Sequence, residues 1–150
     1  MKKFFFDLDT NIATTSRLKT VCFEETYGRH ILRKVIANLH IDRALDIGSG
    51  EGHDLTVLRE YFPSASLSAI DHKDIHFKKL TNFEIVAHRL NIEKDKLPFA
   101  DGELDFVIAN QVLEHIKEIF WINHEVFRVL KLGGFFFIGV PNGLAFHNRI

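Results

Sequence analysis

The chain has a single cysteine, Cys22. One thiol gives neither an internal disulfide nor a thiolate metal cluster, and the simplest role for Cys22 is that of a small buried hydrophobe. Charge of one sign is also missing. Against 19 Lys and Arg stand 20 Asp and Glu, for a net charge of −1. The two signs are mixed along the chain, which removes the electrostatic case for nucleic acid or a membrane surface as partner. No apolar run is long enough to span a bilayer. Lys2 and Lys3 followed by Phe4, Phe5 and Phe6 begin like a secretion signal, but Asp7 and Asp9 cut that apolar stretch short. A cytoplasmic setting is the expectation. The 9 histidines are scattered, and no expected helix pairs two of them with an acid, so no metal site is expected. Repeats, low-complexity segments and linkers are lacking too, so residues 1–150 read as one domain with an N-terminal arm over 1–20.

What is present is the composition of an ordinary globular protein, 46% hydrophobic and 26% charged. Its most informative stretch is ALDIGSGEG, residues 44–52. Ala44, Leu45 and Ile47 form a short apolar run that contains Asp46. Gly48, Gly50 and Gly52 then alternate with Ser49 and Glu51, and Leu55, Leu58 and Phe62 follow at helical spacing. This is a strand, a glycine turn and a helix. Glycine lets backbone approach a ligand closely, and the helix start turns its N–H groups toward the same place. The spacing G-x-G-x-G departs from the dinucleotide fingerprint G-x-G-x-x-G, whose third glycine falls on His53.

The rest of the chain alternates strands with helices. Tyr27, Ile31, Leu32, Val35, Ile36 and Leu39 give an amphipathic helix over 24–39. The helix after the glycines is expected over 53–62, where Pro63 ends it. Strands are expected over 66–70, 83–88, 104–109 and 135–140. Between them come a short helix or turn over 73–80, a polar loop over 91–96, the apolar knot Leu97-Pro98-Phe99, and a helical region over 112–130 with a break near Lys117. Gly133 and Gly134 read as the close of that helix, and Pro141 stops the last strand. Such alternation implies an α/β fold, Rossmann-like and doubly wound, with a mainly parallel sheet. Ligands in these sheets bind beyond the carboxyl ends of the strands. The glycine loop, Asp71, Asn91 and Asn110 all follow strands and therefore converge on one rim.

D-x-G-x-G-x-G over 46–52 resembles motif I of the class I S-adenosylmethionine-dependent methyltransferases. Residues 91–116, NIEKDKLPFADGELDFVIANQVLEHI, look like the family's D-x-x-x-LPF-x-D-x-x-FD-x-V…LEH region. RVLKLGG, residues 128–134, and VPN, residues 140–142, are similar to its turn before strand five and to that strand's end. The likeness runs over residues 44–142 and points to the small-molecule, type 11-like branch. It implies strand order 3-2-1-4-5, S-adenosylmethionine as cofactor, and methyl transfer to a small-molecule O, N or C acceptor. Asn91 stands where the family has Asp, and Leu132 where it has Pro. The family's sheet carries two further strands, and this sequence ends about ten residues past strand five. A C-terminally truncated core is therefore expected. Strand five would be an open edge, suited to a second copy of the chain.

By the same resemblance, Asp71 accepts hydrogen bonds from both ribose hydroxyls, and a carboxylate suits a vicinal diol. Asn91 and Ile92 meet the adenine edge, Ile92 through its backbone N–H. Asp46 either pins the glycine loop or meets the cofactor's ammonium. Ser49 contributes through its backbone. Asn110 offers a carbonyl to the methionine end, or caps a helix with its side chain. His115, beside Glu114, is the candidate general base, although a structural histidine fits the LEH segment as well. Two other readings stay open: a methyltransferase-like binding module without activity, and a NAD-dependent oxidoreductase, which the glycine spacing disfavours.

Overall fold

The computed structural model describes residues 28–141. The N-terminal arm, Cys22, the first residues of the expected helix over 24–39 and Asn142 lie outside them. The elements run α1 (Arg29–Ile36), β1 (Arg43–Ile47), α2 (His53–Tyr61), β2 (Ser66–Asp71), α3 (Phe77–Thr81), β3 (Val86–Arg89), β4 (Leu104–Asn110), a 3-10 turn (Leu113–His115), α4 (Ile119–Val129) and β5 (Leu130–Gly139). The sheet has order β3-β2-β1-β4-β5, and each neighbouring pair is parallel. Among the described residues β3 and β5 are the two edges.

Alternation along the central strands builds two apolar layers. Ala44, Leu67, Phe106 and Ile108 face Leu32 and Ile36 of α1 and Leu55 and Leu58 of α2. Leu45, Ile47, Val107 and Ala109 face Ile122, Val126 and Val129 of α4. Strands covered on both faces read as continuous apolar runs, as LDFVIA does. The same period puts Asp46 on the α1–α2 side with Ala44.

Three expectations are corrected. The strand expected over 83–88 begins at Val86. Asn82, Phe83 and Glu84 close α3 instead: the N–H of Phe83 donates to Leu80 O, that of Glu84 to Thr81 O, and Glu84 takes a left-handed φ of 57°. The break expected near Lys117 is present: residues 112–130 form the 3-10 turn and α4, with extended backbone at Ile116 between them. β5 begins at Leu130, directly after α4, so Gly133 and Gly134 do not cap the helix. They serve an irregularity in the β4–β5 pairing, where Leu104 faces Leu130 but Phe106 faces Phe135. A Cβ on Gly134 would press on the Asp105 and Lys131 carbonyls at 3.1 and 3.0 Å. Ile31, expected on the inner face of α1, is exposed.

The loop over 90–103 is held to α4 by the side chains of Arg128 and Glu125. The Arg128 guanidinium donates to Leu97 O at 3.0 Å and Phe99 O at 2.8 Å. It also grips Glu125 through Nε at 2.9 Å and Nη2 at 2.7 Å. Glu125 accepts the Leu97 N–H at 2.9 Å as well. The fork geometry of arginine suits this fan of acceptors. The Arg128 bond draws the Glu125 carboxyl below its usual range against the opposing push of burial, with the Leu97 amide helping.

Candidate functional site

The glycine loop leaves β1 at Ile47 and doubles back on itself. Gly48, Gly50 and Gly52 all have positive φ, of 71°, 48° and 81°. A Cβ on Gly48 would collide with Val112, and one on Gly52 with Leu80, so these two glycines let neighbouring segments close over the loop. A Cβ on Gly50 meets nothing within 4 Å. Gly50 is the one glycine of the three that faces open space.

Four of the loop's N–H groups are committed inside the protein. Those of Gly48 and Ser49 donate to Ile70 O, at 2.7 and 3.2 Å. That of Gly52 donates to Ser49 O at 2.8 Å. The Gly50 N–H donates to Asp71 Oδ2 at 3.1 Å. Asp71 therefore fastens the loop to the end of β2, while its Oδ1 accepts the Lys73 N–H at 3.1 Å and lies 3.0 Å from His72 Nδ1. A carboxylate has about four lone-pair sites, so Asp71 retains acceptor capacity toward a ligand.

Beneath the loop lies a buried polar cluster. Asp54, in the first turn of α2, receives Arg29 Nε at 2.8 Å on Oδ1 and Asn110 Nδ2 at 3.0 Å on Oδ2. Asn110 thus clamps α2 to the end of β4. It does not cap a helix: Val112 and Glu118 occupy the cap positions before the 3-10 turn and α4, without side-chain cap bonds. Asp46 is 2% exposed, and no described residue hydrogen-bonds its carboxyl. Burial pushes that carboxyl well above the usual range, and the charges of Asp54 and Asp71 push the same way, with Arg29 opposing.

A cleft of about 790 Å³ opens beside the loop at the carboxyl ends of the strands. It is lined by Gly48, Asp71, Asn91, Ile92 and His115 from the expected set, together with residues that sequence reasoning passed over, Gln111 and Arg89 among them. Asn91 is engaged in its own turn: Oδ1 accepts the Glu93 N–H at 3.0 Å, and its own N–H donates to Asp95 Oδ2 at 2.8 Å. The Ile92 N–H has no partner among the described residues. The His115 ring stands at the outer rim, mostly exposed, with Nε2 3.9 Å from Glu114 Oε1. Asp46, Ser49, Gly50, Gly52 and Asn110 do not line it. The acid at the start of α2 was a signal available in the sequence for Asp54. Nothing in the sequence marks Gln111.

A profile of the family described as methyltransferase domain matches residues 45–138, which include the loop, the cleft and β5 up to Ile138. The chain belongs to this family, the class I S-adenosylmethionine-dependent methyltransferases. S-adenosylmethionine is the family's cofactor. The chain is similar to the sterol 24-C-methyltransferase of Schizosaccharomyces pombe, at 28% identity over 103 residues, covering 63% of this chain and 26% of that protein. It is similar to the malonyl-[acyl-carrier protein] O-methyltransferase of Methylococcus capsulatus, at 28% identity over 95 residues, covering 61% of this chain and 34% of that one. Among solved structures, an S-adenosylmethionine-dependent methyltransferase of Methanococcus maripaludis superposes with a TM-score of 0.64 at 23% identity, over 75% of this chain and 55% of that chain. The five-stranded parallel core is the fold they share. The chain spans about a quarter to a third of the length of these two curated relatives.

Proposed function

We propose that the protein binds S-adenosylmethionine in the cleft beside the glycine loop and transfers its methyl group to a small-molecule O, N or C acceptor. The observation that carries this reading is the commitment of the loop's amides. The N–H groups of Gly48, Ser49, Gly50 and Gly52 all point at protein acceptors. Four of the loop's amides are thus unavailable to a pyrophosphate, which a dinucleotide would need to have cradled there. A sulfonium nucleoside has no phosphate and needs none. The same commitment disfavours the oxidoreductase reading.

In this reading Asp71 accepts from the ribose hydroxyls with its remaining lone pairs. The Ile92 N–H meets the adenine edge, with Asn91 shaping the turn that presents it. Asp46 lacks any donor among the described residues and offers its carboxyl to the cofactor's ammonium through the end of β1. Ser49, Gly50 and Gly52 fix the loop, and the space over Gly50 is the ligand's. Asn110 holds its position by gripping Asp54. The cofactor supplies a methyl group on a good neutral leaving group, so the protein's task is chiefly to position the partners. His115, at the rim, takes a proton only from an acceptor that still holds one at working pH.

The test is a calorimetric titration with S-adenosylhomocysteine and NAD in parallel, on the wild type and on Gly50→Ala. S-adenosylhomocysteine binds the wild type and NAD does not. The added methyl stands in the ligand's space, and the variant loses at least about tenfold in affinity while its circular dichroism spectrum is unchanged. Equal affinity of the folded variant, or preferential binding of NAD, overturns the reading. Turnover with a panel of acceptors then distinguishes an enzyme from a binding module.

A further inference from the structure

Gln111 is one of two non-glycine residues with positive φ among those described, at 59°. The other, Glu84, lies in an exposed turn closing α3. Gln111 is half-buried and lines the cleft. A left-handed backbone at a residue other than glycine persists only where its surroundings hold it, and such residues gather at functional sites. Here the hold is visible. The Gln111 N–H donates to Gly139 O at 2.7 Å, and Val112 packs where Gly48 has no Cβ. Gly139 has no Cβ either, and one placed there would collide with the Asn110 side chain. The ends of β1, β4 and β5 therefore fix the turn jointly.

The strand order gives this turn its place. Along the rim come the β3 end with Asn91 and Ile92, the β2 end with Asp71, the β1 end with Gly48, and the β4 end with Gln111. A nucleoside with its ribose on Asp71 and its base toward Ile92 directs its remaining part across β1 to β4. That part is an amino acid, whose carboxylate needs donors. Of the glycine loop's donors, the amides of Gly48, Ser49, Gly50 and Gly52 are committed, and the two that are left, the Glu51 N–H and the Ser49 hydroxyl, do not line the cleft. The Gln111 side chain is in the right place and uncommitted: no described residue hydrogen-bonds its carboxamide.

We propose that the Gln111 carboxamide donates to the carboxylate of the cofactor's amino-acid part and makes the site select the whole cofactor over the bare thionucleoside. The assignment rests on the cofactor reading above. Gln111 is a binding residue in it, and the strained turn fixes where its side chain starts.

The experiment compares S-adenosylhomocysteine with 5′-methylthioadenosine, which keeps the nucleoside and the thioether but lacks the amino acid. Both are titrated calorimetrically into the 150-residue chain and into Gln111→Gly, Gln111→Glu, Asp71→Ala and His115→Ala. Glycine removes the carboxamide and tolerates the left-handed backbone, so Gln111→Gly unfolds at no lower temperature than the wild type. It loses about tenfold in affinity for S-adenosylhomocysteine, as for a hydrogen bond to a charged group, and nothing for 5′-methylthioadenosine. Gln111→Glu sets a carboxylate against a carboxylate, so it loses more of the first affinity and again none of the second. Asp71→Ala weakens both ligands alike. Equal losses for the two ligands in the Gln111 variants, or none for either, overturn the assignment while the cofactor reading stands. So does a selective loss in His115→Ala with none in Gln111→Gly. A wild type that binds neither ligand takes down both.

Discussion

Two acids are buried to the same depth on opposite faces of the sheet, Asp46 at 2% and Glu125 at 1% exposure. Glu125 sits on α4 with every need met: two bonds from Arg128 and one from the Leu97 N–H. Asp46 sits on β1, between Ala69 and Ile108 in register, with no donor among the described residues and with the charges of Asp54 and Asp71 against it. One carboxyl is drawn below its ordinary range and the other pushed well above it. Equal burial with opposite satisfaction separates an acid bonded into the fold from one that, in the function proposed above, is kept for the cofactor. A buried polar group is costly unless it is bonded, so a site that leaves one unbonded gives up stability for function.

The widest break in this contrast comes from taking away the satisfied acid's partner. Arg128→Ala leaves Glu125 buried with only the Leu97 amide and frees the Leu97 and Phe99 carbonyls. Removing one member of a buried pair typically costs about 3–5 kcal/mol, and chemical denaturation is expected to find a loss of that order. The linkage has a definite sign. A depressed folded pKa contributes stability above the unfolded value, about 4.3 for glutamate, and that stability fades as pH falls through the folded value. The advantage of the wild type over Glu125→Gln therefore shrinks in acid. An advantage independent of pH means that Glu125 is not ionised in the fold.

Asp71 stands between the two extremes, with part of its bonding met by Gly50 and Lys73 and part left, in the function proposed above, for the ribose. Asp71→Ala should weaken S-adenosylhomocysteine by roughly 1.5–3 kcal/mol, the range for hydrogen bonds to a charged group. In that variant a 2′- or 3′-deoxyribose analogue should lose little more. Full additivity of the two losses in isothermal titration means that the acid and the ribose do not touch.

How much of this was legible in the sequence depends on the kind of signal. The strand order and the rim were legible, because apolar runs of strand length alternated with helical stripes and the loop carried its glycines in view. Asp71, Asn91, Ile92 and His115 are at the cleft because a strand's carboxyl end is a place that sequence can locate. The β5 start was misjudged because Gly133 and Gly134 suit a helix end and a sheet irregularity equally well; only the pairing of Leu130 with Leu104 decides between them. The Asn110 side chain was misjudged because its partner, Asp54, lies 56 residues away. Gln111 left no trace, since a left-handed glutamine is spelled like any other. Satisfaction of a buried acid is likewise a property of three-dimensional neighbours, so Asp46 and Glu125 look alike on paper.

The smallest expected effect is also the sharpest, because it runs opposite to the usual direction of mutation. Asp46→Asn removes a group whose charged form burial and the charges of Asp54 and Asp71 oppose more than Arg29 supports it. The sign follows from its raised folded pKa. Below the unfolded value of about 3.9 both states hold the proton and the group makes no difference. As pH rises, the unfolded chain ionises freely while the fold resists, so the wild type loses stability up to the folded pKa. Asparagine has the same shape and never ionises. Asp46→Asn is therefore expected to be more stable than the wild type at neutral pH by about 1 kcal/mol, a rise in Tm of about 4 °C or less for a chain of this size, with the gap closing toward pH 4. Addition of S-adenosylmethionine should invert the order. The cofactor's cation meets a carboxylate in the wild type and a neutral amide in the variant, so the ligand-induced rise in Tm is smaller in the variant. Thermal melts at pH 4 and pH 7, with and without the cofactor, carry the whole test. A variant less stable than the wild type at neutral pH would mean that Asp46 is bonded and structural, as Glu125 is, and that the two acids do not differ in kind.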